Sequence, residues 1–448
     1  MTPQMLIVAD DLTGAADCGI ACGAGTVVLL NHSDGNLPDA AVVAVDANTR
    51  SMASEQAAQT TAGLVTDLAR FAGKRDHQPV LLFKKVDSTL RGNVGAELAA
   101  ALKARRSQIR PSQAAPDERV VALFAPASPA HGRVTVGGRQ RVHGQLLEEA
   151  DLWPGESARP RSAIAEILRD SGLSCATLEL PTVRSGARSL ENAMIRLARE
   201  ADVLVCDAEI DTDLEAIANA AMVLHPKTVW SGSAGLARHI PRAAGFAPFA
   251  DHALRSASAP VSFSGPTLFV VGSPADASLE QARALAAAPH TFAITIPQAL
   301  GLSAQPPAAV QEYARLISAS LQQGTDVLVQ LDAEPCAAED TLRLTSSLAR
   351  VIAPCTDRAG SLVVTGGETA RTLLDAWGIH RLRLLGEVEP GLPWSVTEGW
   401  HRTLIVLTKA GSFGTPGTLL HCRDFLRELE RDTVMPGPLC IPSAEQKS

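Results

Sequence analysis

Two adjacent carboxylates, Asp10 and Asp11, follow directly on a short apolar segment near the start of the chain. That segment, residues 5–8, suits a buried strand, and the small residues of 15–24 can form a helix behind it. In open α/β sheets, ligands bind where strands end and helices begin. Two carboxylates at such a point could take up a proton, bind a hydroxyl group or hold a metal ion. The alternative is that one caps the helix while the other faces solvent.

Three more polar clusters of the first half, residues 46–51, 84–93 and 128–133, stand at the ends of expected strands. Because parallel strands end at one edge of a sheet, side chains far apart in sequence should converge there. The clusters add basic residues that could clamp a small anion, while Asp and Ser bind its hydroxyl groups; these are Arg50, Lys84, Lys85, Arg91 and Arg133. Taken singly, each basic residue could equally be a solvated surface charge.

The second half carries glycines and small hydroxyl residues at its expected strand ends, in 272–274, 365–369 and 409–414. Glycine lets the backbone approach a ligand closely, and N–H groups at the start of a helix bind anions. One such turn is commonly only a tight turn. Three of them in one half of the chain indicate phosphate binding.

Apolar runs that alternate with helical patterns predict βαβ units and therefore the α/β class. We expect two domains, at 1–240 and 266–432, each a largely parallel sheet with flanking helices, joined by a linker at 241–265. Residues 433–448 should form a loose C-terminal tail, and the active site should lie in the interdomain cleft. The expected elements include a strand at 79–83, ending before the two lysines, and a helix after Thr369.

Composition narrows the possible functions. The 448 residues are 46% hydrophobic and 20% charged, as in globular proteins of two or three domains. A net charge of −8 gives no electrostatic footprint for nucleic acid. The eight cysteines and eleven histidines show no metal-ligand spacing, so no metal site is predicted. With no leader-like start and no long apolar stretch, we expect a cytoplasmic protein that does not bind membranes.

Familiar nucleotide and hydrolase motifs are missing. There is no P-loop motif, and the glycine fingerprint of dinucleotide-binding proteins is incomplete. The G-x-S-x-G motif of the nucleophile elbow is not matched either, because position 231 is Ser instead of Gly. An acid-rich pocket with clamping cations, combined with a glycine-rich phosphate-binding domain, is what phosphoryl transfer requires. A two-domain dehydrogenase is the alternative enzyme class, and it would need the fingerprint that this chain lacks.

Five motifs in order along nearly the whole chain resemble the four-carbon acid sugar kinases. They are Ala-Asp-Asp-Leu-Thr-Gly-Ala at 9–15, Lys-Lys-Val-Asp-Ser-Thr-Leu-Arg-Gly-Asn at 84–93, Gly-Ser-Ala-Gly-Leu at 232–236, Thr-Gly-Gly-Glu-Thr at 365–369 and Lys-Ala-Gly-Ser-Phe-Gly at 409–414. The resemblance implies a substrate domain followed by a nucleotide domain. It further implies transfer of a phosphoryl group from ATP to the terminal hydroxyl of a C4 sugar acid.

Site residues follow from the resemblance, position by position. The sugar acid is expected at Asp11, Arg50, Lys85, Asp87, Ser88 and Arg91. ATP is expected at Ser273, Gly366, Gly367, Glu368, Thr369, Lys409, Ala410, Gly411 and Ser412. Either Asp10 or Asp11 should act as the catalytic base, and we prefer Asp11 as the residue nearer the helix start.

Further expectations concern the substrate and the partners. The 84–93 motif is closer to the members of the family that use D-threonate, so D-threonate is favoured, with D-erythronate and 3-oxo-tetronate as alternatives. Mg²⁺ should accompany ATP, because ATP is normally bound as its magnesium complex. A homodimer is compatible with the sequence. A non-catalytic sugar-acid binding protein is the alternative outside the enzymes, although such proteins are typically exported.

Overall fold

The computed structural model describes residues 3–30, 37–72, 80–108, 119–150, 159–226, 228–246, 264–298, 307–332 and 338–434. The chain divides into two compact units. Unit 1 comprises 1–253 together with 335–342 and 379–386, and unit 2 comprises the other residues. No helix within the described ranges is long and apolar enough to cross a membrane.

Unit 1 is built on a parallel sheet of eight strands, with a small antiparallel sheet beside it. Its strands, numbered in chain order, are β1 Met5–Ala9, β2 Val27–Leu29, β3 Val42–Asp46, β4 Leu81–Lys85, β5 Val121–Ala125, β6 Arg133–Val136, β7 Arg139–Val142, β8 Gln145–Leu146, β9 Cys175–Leu178, β10 Val203–Cys206 and β11 Thr228–Gly232. The parallel strands lie in the order β2-β3-β1-β4-β11-β5-β10-β9. They are buried along most of their length, which explains their continuous apolar runs.

Helices cover the sheet of unit 1. They are α1 Leu12–Cys22, α2 Ser54–Ala72, α3 Val94–Gln108, α4 Ile164–Arg169, α5 Leu180–Val183, α6 Ala187–Ala198, α7 Asp211–Ala221, α8 Ala234–Ala237 and α9 Ile240–Ala243. The α/β class is confirmed. Helix α1 begins three residues earlier than the predicted Ala15, because Asp11 caps it and the Thr-Gly pair is already helical. Strand β4 runs two residues further than predicted and includes both lysines.

The antiparallel sheet β6–β8 is a feature that the sequence analysis did not predict. Its strands have only two to four residues and are rich in Arg and Gln, so any alternation, as in Arg-Val-Thr-Val of β6, is too short to mark a strand. Gly137 and Gly138 turn the chain between β6 and β7, both with positive φ. Their N–H groups donate to the carboxylate of Asp207 at 2.6 and 2.9 Å, which anchors the turn beside the end of β10.

The second half forms another mostly parallel sheet. Its strands are β12 Thr267–Val271, β13 Thr291–Ile296, β14 Asp326–Leu331, β15 Ser361–Thr365, β16 Arg381–Glu389, β17 Leu392–Thr397 and β18 Ile405–Lys409. Its helices are α10 Asp276–Ala286, α11 Pro307–Gln322, α12 Ala338–Ile352, α13 Gly367–Ala376 and α14 Thr418–Val434. Within unit 2 the order is β13-β14-β12-β15-β18-β17, and β17 alone of these runs antiparallel.

Some expectations for the second half need correction. Strands β16 and β17 were not predicted, and residues 379–386 group with unit 1 because the first residues of β16 pair with β2. Helix α14 continues to Val434, so the predicted loose tail at 433–448 begins inside a helix, and its residues from 435 lie outside the described part. Residues 247–263 of the predicted linker also lie outside the described part of the chain. The other boundaries, and the position of the active site relative to the domains, stay predictions.

The close approach of strands β11 and β5 at Gly232 gives a stability test. A Cβ added at Gly232 would overlap the carbonyl oxygen of Ala125 in the neighbouring strand β5. Gly232→Ala should therefore lower the free energy of unfolding by about 1–3 kcal/mol, as overpacking typically does. Gly63→Ala is the matched control, because outside the helix's own backbone no atom of the described residues lies within 4 Å of its new methyl group. In the interior of α2 that change should stabilise by about 0.5–1 kcal/mol. Equal urea midpoints for the two variants would contradict the packing.

Candidate active site

The first site lies at the ends of three adjacent strands of unit 1. In the order β3-β1-β4, Ala9 of the central strand is level with Asp46 on one side and Lys85 on the other. The segments that follow these strands, 10–11, 47–50 and 86–91, therefore leave the sheet next to one another. For these three polar clusters, the predicted convergence at one sheet edge is confirmed.

Arg50 joins the two carboxylates that follow β1. Its Nε donates to Oδ2 of Asp10 at 2.8 Å. Its Nη1 and Nη2 donate to Oδ2 and Oδ1 of Asp11 at 2.6 and 2.9 Å. Three of the five guanidinium N–H groups are engaged, and paired geometry of this kind is the strongest form of charge-assisted hydrogen bond. Two neighbouring acids can be buried here because a cation lies between them.

Asp11 is also the N-cap of α1. Its Oδ1 accepts the Gly14 N–H at 2.8 Å, and its Oδ2 accepts the Thr13 hydroxyl at 2.7 Å. Together with the Arg50 bonds, each carboxylate oxygen therefore receives two donors. Capping, which was the alternative raised for one of the two acids, is what Asp11 does.

Asp10 is buried, but only one of its two carboxylate oxygens accepts a hydrogen bond within the described part of the chain. Its Oδ2 accepts from Arg50, whereas its Oδ1 has no hydrogen-bond partner among the described residues. Burial disfavours the charged carboxylate, but Arg50, Lys84 and Lys85 outweigh burial and hold the pKa of Asp10 below its usual value. The side chain is thus an ionised carboxylate with one buried oxygen that accepts no hydrogen bond from the described residues.

The two lysines that end β4 point to opposite faces of the sheet, as alternation along a strand requires. Lys84 forms an ion pair of 2.5 Å with Glu97 of α3, and both side chains are almost fully buried. Lys85 donates to the carbonyl oxygen of Val86 at 2.8 Å, and its Nζ lies 3.2 Å from the position of a Cβ at Gly14. Lys85 therefore lies against α1, close to the cap.

The loop after β4 carries the other residues that were predicted to bind the sugar acid. Arg91 Nε donates to Oδ2 of Asp87 at 2.9 Å, and Thr89 donates to the same oxygen. Burial opposes the charge of Asp87, but Arg91, Arg50 and Arg133 hold its pKa well below the usual value. The Ser88 hydroxyl accepts from Arg133 Nη1 at 2.7 Å, so strand β6 reaches this loop.

Two residues of this region were not among the predicted residues: Glu97, described above, and Asp17, on α1. Arg133 was predicted only as one of the basic residues that could clamp an anion. Burial raises the pKa of Asp17, although Lys85 and His131 act in the opposite direction. Asp17 follows Gly14 by three residues and so lies on the helix face that meets Lys85. Helical spacing from Gly14 was the signal that could have identified it.

The predicted nucleotide residues of unit 2 also converge, around Ser273. A Cβ at Gly411 would overlap the Ser273 side chain, and one at Gly366 would lie 3.6 Å from Ser273 Cβ. A Cβ at Gly272 would overlap the side chain of Thr369. Glycine is therefore required at 272 and 411, because the loops after β12, β15 and β18 touch there. These three strands are neighbours in the order β12-β15-β18.

The N-terminus of α13 adds backbone donors to this junction. The helix begins at Gly367, three residues before the predicted start after Thr369, so Glu368 and Thr369 belong to its first turn. Gly366, the N-cap, has φ 95° and no side chain to satisfy the first N–H groups. Open N–H groups at such an end favour an anion. Burial raises the pKa of Glu368 in the same turn.

Lys409 and Ala410 stand at the end of β18 and at the start of its loop. The Lys409 side chain is 1% exposed, and its Nζ donates to the carbonyl oxygens of Ala410 and Phe413, each at 2.9 Å. The amine therefore points into the loop. The hydroxyl of Ser412 belongs to the same loop, but the structure shows no contact that assigns it a role.

The chemistry of unit 1 differs from that of unit 2. The first site offers charged side chains of both signs, which suits an anionic ligand that also carries hydroxyl groups. The second offers glycines and backbone N–H groups, which suit phosphate. Within the described ranges, no group of three His, Cys, Asp or Glu side chains could hold a metal ion.

Comparison with known protein families divides the chain in the same way. Residues 5–240 match a family described as a sugar-binding N-terminal domain. Residues 268–419 match one described as a nucleotide-binding C-terminal domain. The acid-rich site lies in the first match and the Ser273 junction in the second.

Full-length relatives are similar along almost the entire chain. The D-threonate kinase of Cupriavidus necator is 36% identical over 432 residues, which cover 94% of this chain and 98% of that protein. The D-threonate kinase of Bordetella bronchiseptica is 32% identical, with coverage of 95% and 98%. A 3-oxo-tetronate kinase of Pseudomonas fluorescens is 27% identical, with coverage of 92% and 94%.

Solved structures share the fold. A protein of Haemophilus influenzae superposes with a TM-score of 0.68 at 17% identity, and the match covers 94% of this chain and 99% of that one. At this identity the likeness concerns the fold alone. The two domain matches and the full-length relatives carry the assignment, and the resemblance read from the five motifs is confirmed: the chain belongs to the family of four-carbon acid sugar kinases, which join a sugar-binding domain to a nucleotide-binding domain.

Proposed function

We propose that the protein transfers a phosphoryl group from ATP to the terminal hydroxyl of a four-carbon sugar acid, with D-threonate as the first candidate. The observation that carries the proposal is the buried, ionised Asp10 carboxylate: Arg50, Lys84 and Lys85 lower its pKa, and its Oδ1 has no hydrogen-bond partner among the described residues. The identity with D-threonate kinases over nearly the whole chain supports this choice of acid.

At the sugar site we assign different roles to the two adjacent acids. Asp11 has no lone pair to spare, because Arg50, Gly14 and Thr13 donate to it. It orients Arg50 and the start of α1. Asp10 therefore takes the role first expected of Asp11 and accepts the proton of the reacting hydroxyl. A carboxylate of lowered pKa suffices, because phosphoryl transfer depends mainly on positioning and charge stabilisation.

The carboxylate of the sugar acid needs cations, which the loop after β4 supplies. Arg91 and Lys85 are the candidates, and Ser88 offers a hydroxyl group that Arg133 orients. The pKa of Asp87 lies well below its usual value, so Asp87 stays ionised and holds Arg91 in place at neutral pH. A neutral sugar would not use this set of charges.

The nucleotide is assigned to the junction around Ser273. ATP would meet the first turn of α13, formed by Gly367, Glu368 and Thr369, and the loop that contains Gly411 and Ser412. Mg²⁺ would supply charge neutralisation on the phosphates. The described residues offer no cluster of protein ligands for it, so we assign none and propose that it arrives on ATP.

Other acids remain candidates. D-erythronate and 3-oxo-tetronate differ from D-threonate in the configuration or oxidation of one carbon, and relatives acting on each are similar to this chain. A non-catalytic sugar-acid binding protein is disfavoured, because it would not need the glycine junction of unit 2. The cytoplasmic location and the homodimer stay predictions.

The substrate assignment is tested by ADP release with MgATP over both enantiomers of threonate and erythronate and over 2- and 3-oxo-tetronate. Turnover should be highest with D-threonate, because the 84–93 motif is closest to kinases of that acid. If turnover were highest with another acid of the panel, the assignment as a kinase would stand and that acid would replace D-threonate as the substrate. If no acid of the panel led to ADP release and calorimetry detected no binding of ADP, the proposed function would be refuted.

The roles of the adjacent acids are tested by exchanging each for its amide. Asp10→Asn should lower kcat by about 10²–10⁴-fold, the usual contribution of a proton acceptor, with KM for ATP unchanged. Asp11→Asn keeps a capping side chain but weakens the hold on Arg50. It should mainly raise KM for the acid. If Asp11→Asn lost more kcat than Asp10→Asn, the two roles would be reversed.

The nucleotide junction is tested by Gly411→Ala, whose methyl group would overlap Ser273. KM for ATP should rise about tenfold or more, because overpacking costs about 1–3 kcal/mol and 1.4 kcal/mol is about a factor of ten. KM for the acid should not change. Gly417→Ala is the control, since the atom nearest to its methyl is His421 Nε2 at 3.6 Å. Equal ATP kinetics in both variants would exclude this junction as the nucleotide site.

A further inference from the structure

The loop after β18, residues 410–414, is held from its buried side by Lys409. The Nζ atom of Lys409 donates to three carbonyl oxygens of this loop: those of Ala410 at 2.9 Å, Gly411 at 3.3 Å and Phe413 at 2.9 Å. Burial lowers the pKa of Lys409 to about 8, so at neutral pH the amine is mostly an ammonium group with three protons. All three protons are directed at the loop.

Helix α10 holds the same carbonyls from a second direction. Ser278 Oγ donates to the carbonyl oxygen of Gly411 at 2.7 Å, and Gln281 Nε2 donates to that of Phe413 at 3.0 Å. Both side chains are fully buried. They are three residues apart and therefore lie on one face of the helix. Neither was a predicted site residue.

Fixed carbonyls determine where the N–H groups of the loop point. In a planar trans peptide the C=O of one residue and the N–H of the next point in opposite directions. The carbonyls of residues 410, 411 and 413 face inward, so the N–H groups of Gly411, Ser412 and Gly414 face outward. Within the described part of the chain, these three groups donate to no protein acceptor. Successive outward N–H groups form an anion-binding concavity.

We propose that Lys409, Ser278 and Gln281 are positioning residues, which hold the carbonyls of 410–414 inward so that its N–H groups bind the phosphates of ATP. Lys409 then acts on phosphate only through the loop, although a lysine beside a glycine loop is commonly read as a direct phosphate ligand. The inference rests on the proposed function, since it takes the Ser273 junction to be the nucleotide site.

The test compares two identical substitutions in unit 2. Ser278→Ala removes the hydroxyl bond to the loop, whereas Ser395→Ala removes a hydroxyl bond of 2.9 Å to the carbonyl of Val406 within the sheet. Both serines are buried. Ser278→Ala should raise KM for ATP about three- to tenfold, as loss of one hydrogen bond of about 1 kcal/mol implies. Its kcat and its KM for the acid should not change.

Two readouts separate positioning from general destabilisation. Calorimetric affinity for ADP should fall in Ser278→Ala, while affinity for adenosine, which has no phosphate, should not. Gln281→Leu should behave in the same way, because it removes the donor to Phe413. Ser395→Ala should lower the unfolding midpoint to a similar extent, with wild-type KM for ATP.

Two different failures can be told apart. If the wild-type protein neither releases ADP with any acid nor binds ADP, the proposed function fails. If the wild type is active but Ser278→Ala and Gln281→Leu keep its KM for ATP, the positioning inference alone is overturned. The same holds if Ser395→Ala raises KM for ATP as much as Ser278→Ala does.

Discussion

The acid-rich site of unit 1 depends on burying two adjacent carboxylates, and burial of charge is tolerated only where a cation pairs with it. Arg50 meets that condition from the end of the neighbouring strand β3, with bonds of 2.6–2.9 Å to Asp10 and Asp11. Because Asp11 caps α1 at the same time, the bridge links two strand ends and a helix start. Among the described residues, this arrangement leaves one oxygen of Asp10 without a hydrogen-bond partner. That asymmetry is why two identical neighbouring side chains can have different roles.

In both units, adjacent strands bring the segments that follow them together, but the groups that meet there differ. In unit 1 the adjacent strands β3, β1 and β4 bring charged side chains together; in unit 2 the adjacent strands β12, β15 and β18 bring glycine loops together. A sugar acid differs from other small acids in where its hydroxyl and carboxylate groups lie, so it is recognised by directed side chains. A phosphate group presents oxygens on every side, so backbone N–H groups suffice. The close contact of Gly411 with Ser273 shows how little space this mode leaves for a side chain.

Three lysines at strand ends are almost fully buried, and each satisfies its ammonium group differently. Lys84 pairs with Glu97, Lys85 donates to a backbone carbonyl beside α1, and Lys409 binds three carbonyls of its own loop. A buried ammonium group requires such partners, because desolvation is otherwise prohibitive. Hence a basic residue within a binding motif need not touch the ligand. Lys84 and Lys409 donate to backbone carbonyls at the ends of their strands and stabilise the backbone there. Lys85 instead lies beside Gly14 of α1, close to Asp11.

The sequence by itself determined the α/β class, most of the strands and the motifs of both sites, because buried parallel strands leave continuous apolar runs that end in polar residues. It did not reveal β6–β9 or β16–β17, whose short or polar segments carry no such pattern. Of these, β9 and β16 pair with strands remote in sequence, β10 and β2. Nor could it tell which of Asp10 and Asp11 has a saturated carboxylate, because the two have the same side chain at adjacent positions. Tertiary structure decided that, since the hydrogen bonds depend on Arg50, 39 and 40 residues away in sequence. The burial of Lys409 and the part played by Ser278 and Gln281 were decided there too, because carbonyl direction is a property of the folded loop.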